Sequence, residues 1–358
     1  MSTIESLATK TPLRMPARFL IGENAPILLI IALHGAAVLA VRDWIGYDGL
    51  AHPLYFQQWT TLYLVMCPIL MIAGILFMIV HRTNDWHERR LLLQQATSAN
   101  RIATFTSGLV LLMALMLFMG SFTTFKTMMP TLRGGFLYDR AQADWDAWLH
   151  FGHEPWTLMQ GWLASDWIRQ AIEFNYNVVW FLVCFLPLFW IAVSPRASAI
   201  RTRYFVCFTL SWIVIGNLLA LAWISAGPAF YHHVTGDMER FAGLLAFIAQ
   251  GEGSAHSAAR FQDYLWSTYT RGDMAFGTGI SAFPSMHVGL AALNAVFLFD
   301  YSRRLGAIAF AYLGLVLASS VYLGWHYAID GYVSILVVVA LHLALKGIEG
   351  RSSRIKAS

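Results

Sequence analysis

The sequence predicts an all-α protein, a polytopic membrane helix bundle with about eight transmembrane helices and interfacial helices on the non-cytoplasmic side. Of its 358 residues, 58% are hydrophobic and only 12% are charged, whereas a soluble domain carries roughly 25% charged residues. Mean hydropathy is +0.55. Aromatic residues reach 15% and include 14 Trp, which is typical of the aromatic belts at membrane surfaces. The net charge is only +4 and no basic stripe occurs, so a nucleic-acid partner is not expected.

Eight apolar stretches are long enough, or nearly long enough, to cross a bilayer. A transmembrane helix needs roughly 20 apolar residues, and the first and last stretches fall short of that length. No internal repeat or low-complexity linker interrupts the series. The stretches are residues 26–41, 58–80, 102–122, 177–193, 204–224, 284–300, 305–325 and 331–346.

The basic residues are distributed unevenly between the two sides of the expected bundle. Two thirds of the 24 Lys and Arg fall in the set of segments that includes both termini, and the bias is clearest in the short loops. The positive-inside rule therefore places both termini in the cytoplasm. The chain contains 20 Arg and 4 Lys. This excess of Arg favours a bacterial inner membrane, with the opposite face toward the periplasm or, elsewhere, a lumen.

Two long segments lie on the non-cytoplasmic side, residues 123–176 and 225–283. Structureless loops of more than roughly 15 residues are uncommon and usually functional. The first segment interleaves tryptophans with acidic residues, which predicts helices lying in the interface plane, either as a rim where lipids enter or as plain anchors. The second segment predicts helices near 238–250 and 257–270. The tryptophans of the first segment are Trp145, Trp148, Trp156, Trp162 and Trp167.

Two histidines and one aspartate stand at the mouths of the last three apolar stretches. His287 begins the stretch 284–300, the chain turns on the cytoplasmic side, and the stretch 305–325 returns to deliver His326. Each leg is long enough to cross at about 1.5 Å per residue, so both histidines reach the same side of the membrane. Asp330 follows His326 by four positions, which puts their side chains on one face of a helical turn.

This arrangement suits the transfer of a phosphoryl group. A neutral imidazole attacks phosphorus well if a carboxylate holds its other N–H, and His326 with Asp330 supplies that pair. His287 is placed to protonate the leaving alkoxide. Ser285 stands at a helix start, where free backbone N–H groups favour an anion, although it would serve equally as a helix cap. Gly279 would let the backbone come close to the phosphate.

These residues resemble the signatures of the type 2 phosphatidic acid phosphatase superfamily. The stretch PSMH at 284–287 resembles the second signature, usually P-S-G-H. SSVYLGWHYAID at 319–330 resembles the third, usually S-R followed by five residues, H, three residues and D. The pieces GTGISAFPSMHVG, SAGPAFY and DAWLHFGHEPW resemble the inositolphosphotransferase-like branch, which includes inositol phosphorylceramide synthases. The likeness runs from about Asp144 to Asp330.

The resemblance implies a helical membrane core, a phosphohistidine intermediate, and neither a metal nor another cofactor. It implies His326 as the nucleophile, Asp330 as the residue that orients it, and His287 as general acid and then base. Ser285 would touch the phosphate. The resulting division of the chain is a cytoplasmic N-terminal tail 1–25, N-terminal membrane helices 26–122, a phosphatidic acid phosphatase-like catalytic membrane domain 123–346 and a cytoplasmic C-terminal tail 347–358.

Two departures from the family pattern concern the cations that hold the phosphate. Ser320 stands where the phosphatases carry an arginine, six positions before the nucleophile. No Arg-Pro pair occurs, so the first signature, a Lys followed by six residues and Arg-Pro, is expected to be absent. Because arginine forks usually hold phosphoryl oxygens, Arg271 is the candidate replacement, unless it is a solvated loop charge. Tyr231 is a candidate hydrogen-bond donor to the phosphate.

Three functions are compatible with these residues. The first is a phosphotransferase that moves a phosphoryl head group from a phospholipid donor to a lipid hydroxyl acceptor. The second is a lipid phosphate phosphatase, acting on phosphatidate or a polyprenyl phosphate with water as the acceptor. The third is a non-catalytic lipid transporter or binding subunit. A zinc site of His232, His233 and His287 is a weaker alternative, because zinc would need further ligands in defined geometry. The oligomeric state stays open.

Overall fold

The structure is a computed structural model that describes residues 22, 24–161, 163, 165–254 and 256–357. Within these residues the chain is helical and contains no β-strand, so the prediction of an all-α fold is confirmed. Trp162 and almost all of the predicted N-terminal tail lie outside the described residues. The helices of the N-terminal part are α1 Ala25–Ile45, α2 His52–Arg82, α3 Trp86–Ala96, α4 Ala99–Arg133, α5 Asp139–Leu149, α6 Pro155–Gln160, α7 Asp166–Val193 and α8 Pro195–Ala222.

The C-terminal part adds short helices and then three helices that belong to the bundle. The helices of this part are α9 Tyr231–Thr235, α10 Ala242–Ala249, α11 Ala258–Arg271, α12 Met286–Tyr301, α13 Arg303–Tyr322 and α14 Ala328–Ala357. Seven helices in the described part of the chain are long and apolar enough to cross a membrane, namely α1, α2, α4, α7, α8, α13 and α14. The polytopic bundle is therefore confirmed. The eighth predicted span is α12, which has only 16 residues.

Helix α12 lies at the centre of the bundle. Every residue from Val288 to Phe297 is buried, because α7, α8, α13 and α14 all pack against this helix. At about 1.5 Å per residue it covers about 24 Å, less than the roughly 30 Å of a hydrocarbon core. Most of the irregular segment 280–285 before it is also buried, and such backbone is tolerated at depth where protein encloses it. The N-terminus of α12 thus begins inside the bundle.

Helix α2 carries a stripe of side chains that faces inward. Tyr55, Trp59, Tyr63 and Cys67 recur at intervals of four and are between 0% and 5% exposed. The helix is π-helical over Thr60–Met66, and this wider turn keeps residues four apart on one face. The stripe therefore continues from the first turn of α2 into the bundle.

The beginning of α2 is held against the C-terminal half of α4. The hydroxyl oxygens of Tyr55 and Thr123 lie 2.7 Å apart. A Cβ atom on Gly120 would lie 2.8 Å from the Cα of His52, so the two helices approach this closely only because the residue is glycine. The contact sets α2 beside the turn of α4 that carries Lys126.

The two long segments fold mainly into short helices around the mouth of the bundle. The helices predicted near 238–250 and 257–270 are present as α10 and α11. Gln262 of α11 donates a hydrogen bond to the carbonyl of Leu323 at 2.9 Å, which fastens α11 over the α13–α14 loop. The first segment contains less irregular chain than its predicted range 123–176, because α4 continues to Arg133 and α7 already begins at Asp166.

Candidate active site

Three loops meet at the N-terminus of α12 and are joined by backbone hydrogen bonds. The N–H of Ser285 donates to the carbonyl of Asp330 at 3.2 Å, and the N–H of Ala282 donates to the carbonyl of Ser225 at 2.9 Å. Gly227 has φ +95°, and a Cβ there would lie 2.7 Å from the Trp325 carbonyl oxygen. The stretches around PSMH, SAGP and GWHYAID are thus packed backbone to backbone, although they are far apart in the sequence.

The ring of His326 is oriented through its Nδ1 atom. This atom lies 2.7 Å from the carbonyl oxygen of Ala282 and 3.2 Å from Oδ2 of Asp330. A carbonyl oxygen only accepts, so Nδ1 carries the proton and Nε2 keeps its lone pair. Burial lowers the pKa of His326 to about 3, because a cation loses its hydration there. The ring is therefore neutral at pH 7, with Nε2 available to attack.

Asp330 is fully buried in the first turn of α14. Its Oδ2 also accepts a hydrogen bond from the N–H of Tyr327 at 3.1 Å. Its Oδ1 has no hydrogen-bond partner among the described residues. One carboxylate oxygen thus fixes the turn and the histidine together, and the spacing of four positions brings the two side chains together as expected.

Two further buried carboxylates, both on α5, accept hydrogen bonds from the backbone near His326. Asp139 accepts hydrogen bonds from the N–H groups of Ala226 and Gly227 at 2.9 and 2.8 Å. Asp146 accepts from the N–H groups of Ala328 and Ile329, both at 3.0 Å. Burial raises the pKa of both carboxyl groups, and these N–H donors oppose the rise. The sequence analysis missed both residues, although a spacing of seven, two helical turns, signals one shared face.

The ring of His287 is held by aromatic contacts. It stacks on Trp180 with ring centroids 3.8 Å apart and on Tyr176 at 4.4 Å. The indole N–H of Trp180 also donates to the carbonyl of His287 at 2.9 Å. Among the described residues neither ring nitrogen of His287 has a hydrogen-bond partner. Both nitrogens are therefore available to a bound molecule.

His287 and His326 line one cavity of about 390 Å³, a volume within the range of small-molecule sites. Lys126, Gly279 and Ala282 line it as well. The rest of the wall is largely aromatic, and its aromatic members are Tyr55, Trp59, Phe122, Tyr176, Trp180, Phe181, Phe185, Trp212, Phe230, Phe261, Tyr264, Phe276 and Trp325. The cavity thus has one polar end with two imidazoles and an ammonium group, and a remainder that is mostly apolar apart from Thr123, Asn177, Thr278 and Ser281.

Lys126 is a cation in this wall that the sequence analysis missed. It has no ion pair within the described part of the chain, and its charge acts on both histidines. A Cβ atom on Gly279 would lie 3.0 Å from the Cγ of Lys126, so the two residues are in contact. The overlooked signal was spacing. Six residues separate Lys126 from Arg133, as in the family's first signature, and only the proline is replaced, by Gly134.

Three of the predicted phosphate-binding residues lie elsewhere than in this wall, as far as the structure describes it. The hydroxyl of Ser285 accepts from the N–H of Val288 at 3.4 Å and caps α12. Tyr231 is buried and meets the ring of Phe241 edge to face, with ring centroids 5.0 Å apart. Their roles at the phosphate stay predictions, with this geometry giving them no direct support.

Arg271 is the third of these residues. It is exposed and forms an ion pair with Asp273 at 2.6 Å, as a solvated loop charge would. Of the four predicted phosphate-binding residues, only Gly279 lines the cavity. Lys126 is the cation that the fold brings to the two histidines instead.

The two neighbouring histidines of α9 are also outside the cavity wall in the described structure. The ring of His233 stacks on Trp266 at 4.2 Å, and His232 lies against His233. No group of three His, Cys, Asp or Glu side chains within the described residues is placed to hold a metal ion. The fold therefore does not assemble the three-histidine site considered for zinc.

Comparison with known proteins assigns the C-terminal part of the chain. A family model described as "PAP2 superfamily" matches residues 140–344, more than half of the sequence. The match includes His287, His326 and Asp330 but begins after Lys126. No curated protein and no solved structure matches the chain.

Proposed function

Because the chain belongs to the PAP2 superfamily, and is thus a lipid enzyme of the phosphatase or phosphotransferase type, we propose that it is a phosphotransferase. It moves a phosphoryl head group from a phospholipid donor to a lipid hydroxyl through a phosphohistidine at His326. One observation carries the proposal. His326, whose Nδ1 is held by the carbonyl of Ala282 and whose Nε2 keeps its lone pair, lines the same cavity as His287 and Lys126.

The first half-reaction breaks the ester bond to the lipid of the donor. The lone pair on Nε2 of His326 forms a bond to phosphorus, and the phosphorus–oxygen bond to diacylglycerol breaks. The negative charge of the bound phosphate favours a protonated His287, which gives its proton to the departing oxygen. Asp330 stabilises the positive charge that develops on the His326 ring. The ammonium group of Lys126 offsets the negative charge of the phosphoryl oxygens.

The second half-reaction returns the enzyme to its starting state. His287 now accepts the proton of the acceptor hydroxyl, and the oxygen attacks the phosphorus. The bond from Nε2 to phosphorus breaks, which restores the neutral His326. The stacking of His287 on Trp180 supports this double role, because it holds the ring in place without occupying either nitrogen.

A lipid phosphate phosphatase is the second candidate, and one observation favours it. The spacing of Lys126 and Arg133 reproduces most of the first signature of the phosphatases. Water would replace the lipid hydroxyl in the second half-reaction, with the same three residues. The inositolphosphotransferase-like branch, with inositol phosphate as head group and a sphingolipid as acceptor, remains the finer proposal on the transferase side.

A panel of phospholipid donors with labelled head groups tests these functions on the purified protein in lipid nanodiscs. Donors are supplied with and without ceramide, a glycolipid or a polyprenol, and products are identified by mass. A new labelled lipid that depends on the acceptor supports the transferase. Release of only water-soluble phosphate or phosphorylated head group identifies a hydrolase.

The variant His326→Ala separates both enzymes from a transporter or lipid-binding subunit. We expect no turnover and no acid-labile label on this variant, whereas His81→Ala, a change at an exposed histidine of α2, keeps both. Lipid binding or transport that is unchanged in His326→Ala, together with no turnover by the wild type, would contradict an enzymatic function.

A further inference from the structure

We propose that the cavity takes a hydrocarbon chain of the phosphate donor into the interior of the bundle, and that Trp59 limits the length of chain that fits. The inference rests on the proposed function for the location of the phosphate at the histidine end. It adds a specificity determinant from α2, a helix that lies entirely outside the family match at 140–344.

A continuous series of aromatic rings leads from the histidine to Trp59. His287 stacks on Trp180 at 3.8 Å, and Trp180 contacts Phe185 at 6.0 Å. Phe185 in turn meets Trp59 edge to face at 6.4 Å. All four residues line the cavity, so this wall extends from the reacting end to α2 without interruption.

The chemistry of the wall selects a hydrocarbon. Beyond the two histidines and Lys126, the lining of the cavity is dominated by aromatic rings and aliphatic groups. A polar head group would lose its hydration there with few hydrogen bonds in return, whereas an alkyl chain gains by leaving water and by contact with the rings. The phosphate therefore lies at the cationic end and the chain extends toward α2.

The stripe on α2 shows where the cavity ends. Tyr55, in the first turn, contacts Phe276 of the loop before α12 at 5.0 Å and lines the cavity, as does Trp59 one turn further. Tyr63, another turn on, is completely buried and is absent from the described lining. Its hydroxyl donates to the carbonyl of Phe185 at 2.9 Å. The contact between Tyr63 and α7 closes the space directly behind Trp59.

The test compares Trp59→Ala with Phe56→Ala in the full-length protein. Trp59 is 3% exposed and faces the cavity, whereas Phe56, on the same helix, is 59% exposed and faces outward. Both changes remove one aromatic side chain from α2, so Phe56→Ala is a matched control. Donors with identical head groups and short, medium or long saturated chains are compared by kcat/KM and by the binding of their non-reactive phosphonate analogues.

We expect Trp59→Ala to shift preference toward the longer chains. A difference of one methylene in an apolar pocket is worth on the order of tenfold or more in discrimination, so the ratio of kcat/KM for long over short chains should rise by at least about tenfold. Phe56→Ala should keep the wild-type ratio, and Trp59→Phe should restore most of it. Trp59→Leu serves as a milder variant if Trp59→Ala does not fold.

The possible results distinguish this inference from the proposed function. If no donor is turned over but Trp59→Ala binds the longer phosphonate analogues better, the proposed function is overturned. The role of Trp59 in limiting chain length is then kept. If folded Trp59 variants show the same chain-length preference as Phe56→Ala, in turnover or in binding, the inference about Trp59 is overturned. A shift confined to the chain of the acceptor lipid would also overturn it.

Discussion

The two ring nitrogens of His326 have different surroundings, as the proposed role of a nucleophile requires. Nδ1 faces a carbonyl oxygen and a carboxylate oxygen, which fixes the proton on that side. The residue also lines the cavity, where the charge of Lys126 acts on its ring. Burial keeps the ring neutral before the reaction. Because burial also disfavours the charged ring that forms after attack in the proposed mechanism, that charge depends on Asp330 for stabilisation.

The low pKa of His326 predicts an unusual pH profile. The folded pKa of about 3 lies below the ordinary value of 6.5, so the ring stays neutral as the pH falls through 6.5 and gains a proton only near 3. With a phosphodiester donor, kcat/KM should therefore not decline between pH 7 and pH 5. Rates measured across this interval would contradict the assignment if they fell with a midpoint near 6.5.

Lys126 and Arg271 are the two candidates for the cation that binds the phosphate. Lys126 lines the cavity, whereas Arg271 is exposed. Lys126→Ala should lower kcat/KM by about 10²–10³-fold, because it removes a positioned cation from the developing charge. Lys126→Arg should recover part of the loss. Arg271→Ala should change kcat/KM less than about threefold, because Arg271 is exposed and pairs with Asp273. Equal losses in both alanine variants would favour a role for Arg271 as well.

Among the elements, α5 acts on the site without contributing to the described cavity wall. Its two carboxylates, Asp139 and Asp146, each accept two backbone N–H groups, from residues 226 and 227 and from the first turn of α14 respectively. Tyr327 adds its hydroxyl to Asp139 at 3.0 Å. An amphipathic helix that composition predicts as an interfacial anchor thus also supports the turn that carries His326 and Asp330.

Asp146→Ala should therefore weaken both folding and turnover. Each N–H of Ala328 and Ile329 left without an acceptor costs roughly 1–3 kcal/mol, and displacement of Asp330 should lower kcat by about tenfold or more. Asp146→Asn, which keeps one acceptor, should recover part of both. Asp144→Asn, at an exposed neighbour in α5, is the control, and thermal melting with steady-state kinetics gives the two readouts. If Asp146→Ala lowers the melting temperature but leaves kcat unchanged, Asp146 contributes to stability and not to turnover.

At the scale of the whole molecule, the bundle surrounds a short central helix instead of crossing the membrane with eight equal spans. The N-terminal helices α1 and α2 have only 17% of their apolar windows buried, against 56% for α8. Their exposed apolar faces suit contact with lipid. The short length of α12 leaves room above its N-terminus, and that room is the cavity.

The proposed orientation predicts opposite labelling of two surface tryptophans. Trp148 of α5 is 79% exposed on the site's side, and Trp86 of α3 is 77% exposed between α2 and α4. A cysteine at position 148 should react with a membrane-impermeant maleimide on intact cells, and one at position 86 only after lysis. The native cysteines of the described chain are buried, so background labelling is low. Labelling of both from outside would contradict the orientation.

The helical membrane class follows from local composition alone, because hydropathy does not depend on which segments later meet. The spacing of four between His326 and Asp330 is also local, and it sufficed to predict that the two side chains meet. The motif resemblance identified the superfamily that the family match confirms. The assignments of catalytic roles made from these motifs stay predictions.

The surroundings of these residues depend on contacts between distant parts of the chain. Asp146 reaches the backbone of residues 328 and 329 across more than 180 positions, and Lys126 and Trp59 join the cavity from helices that lie outside the family match. Such contacts form because buried polar groups need hydrogen-bond partners and apolar faces need to pack. A short stretch of sequence is compatible with several distant partners. The choice among them is made by the packing of the whole bundle, which no short stretch of sequence specifies.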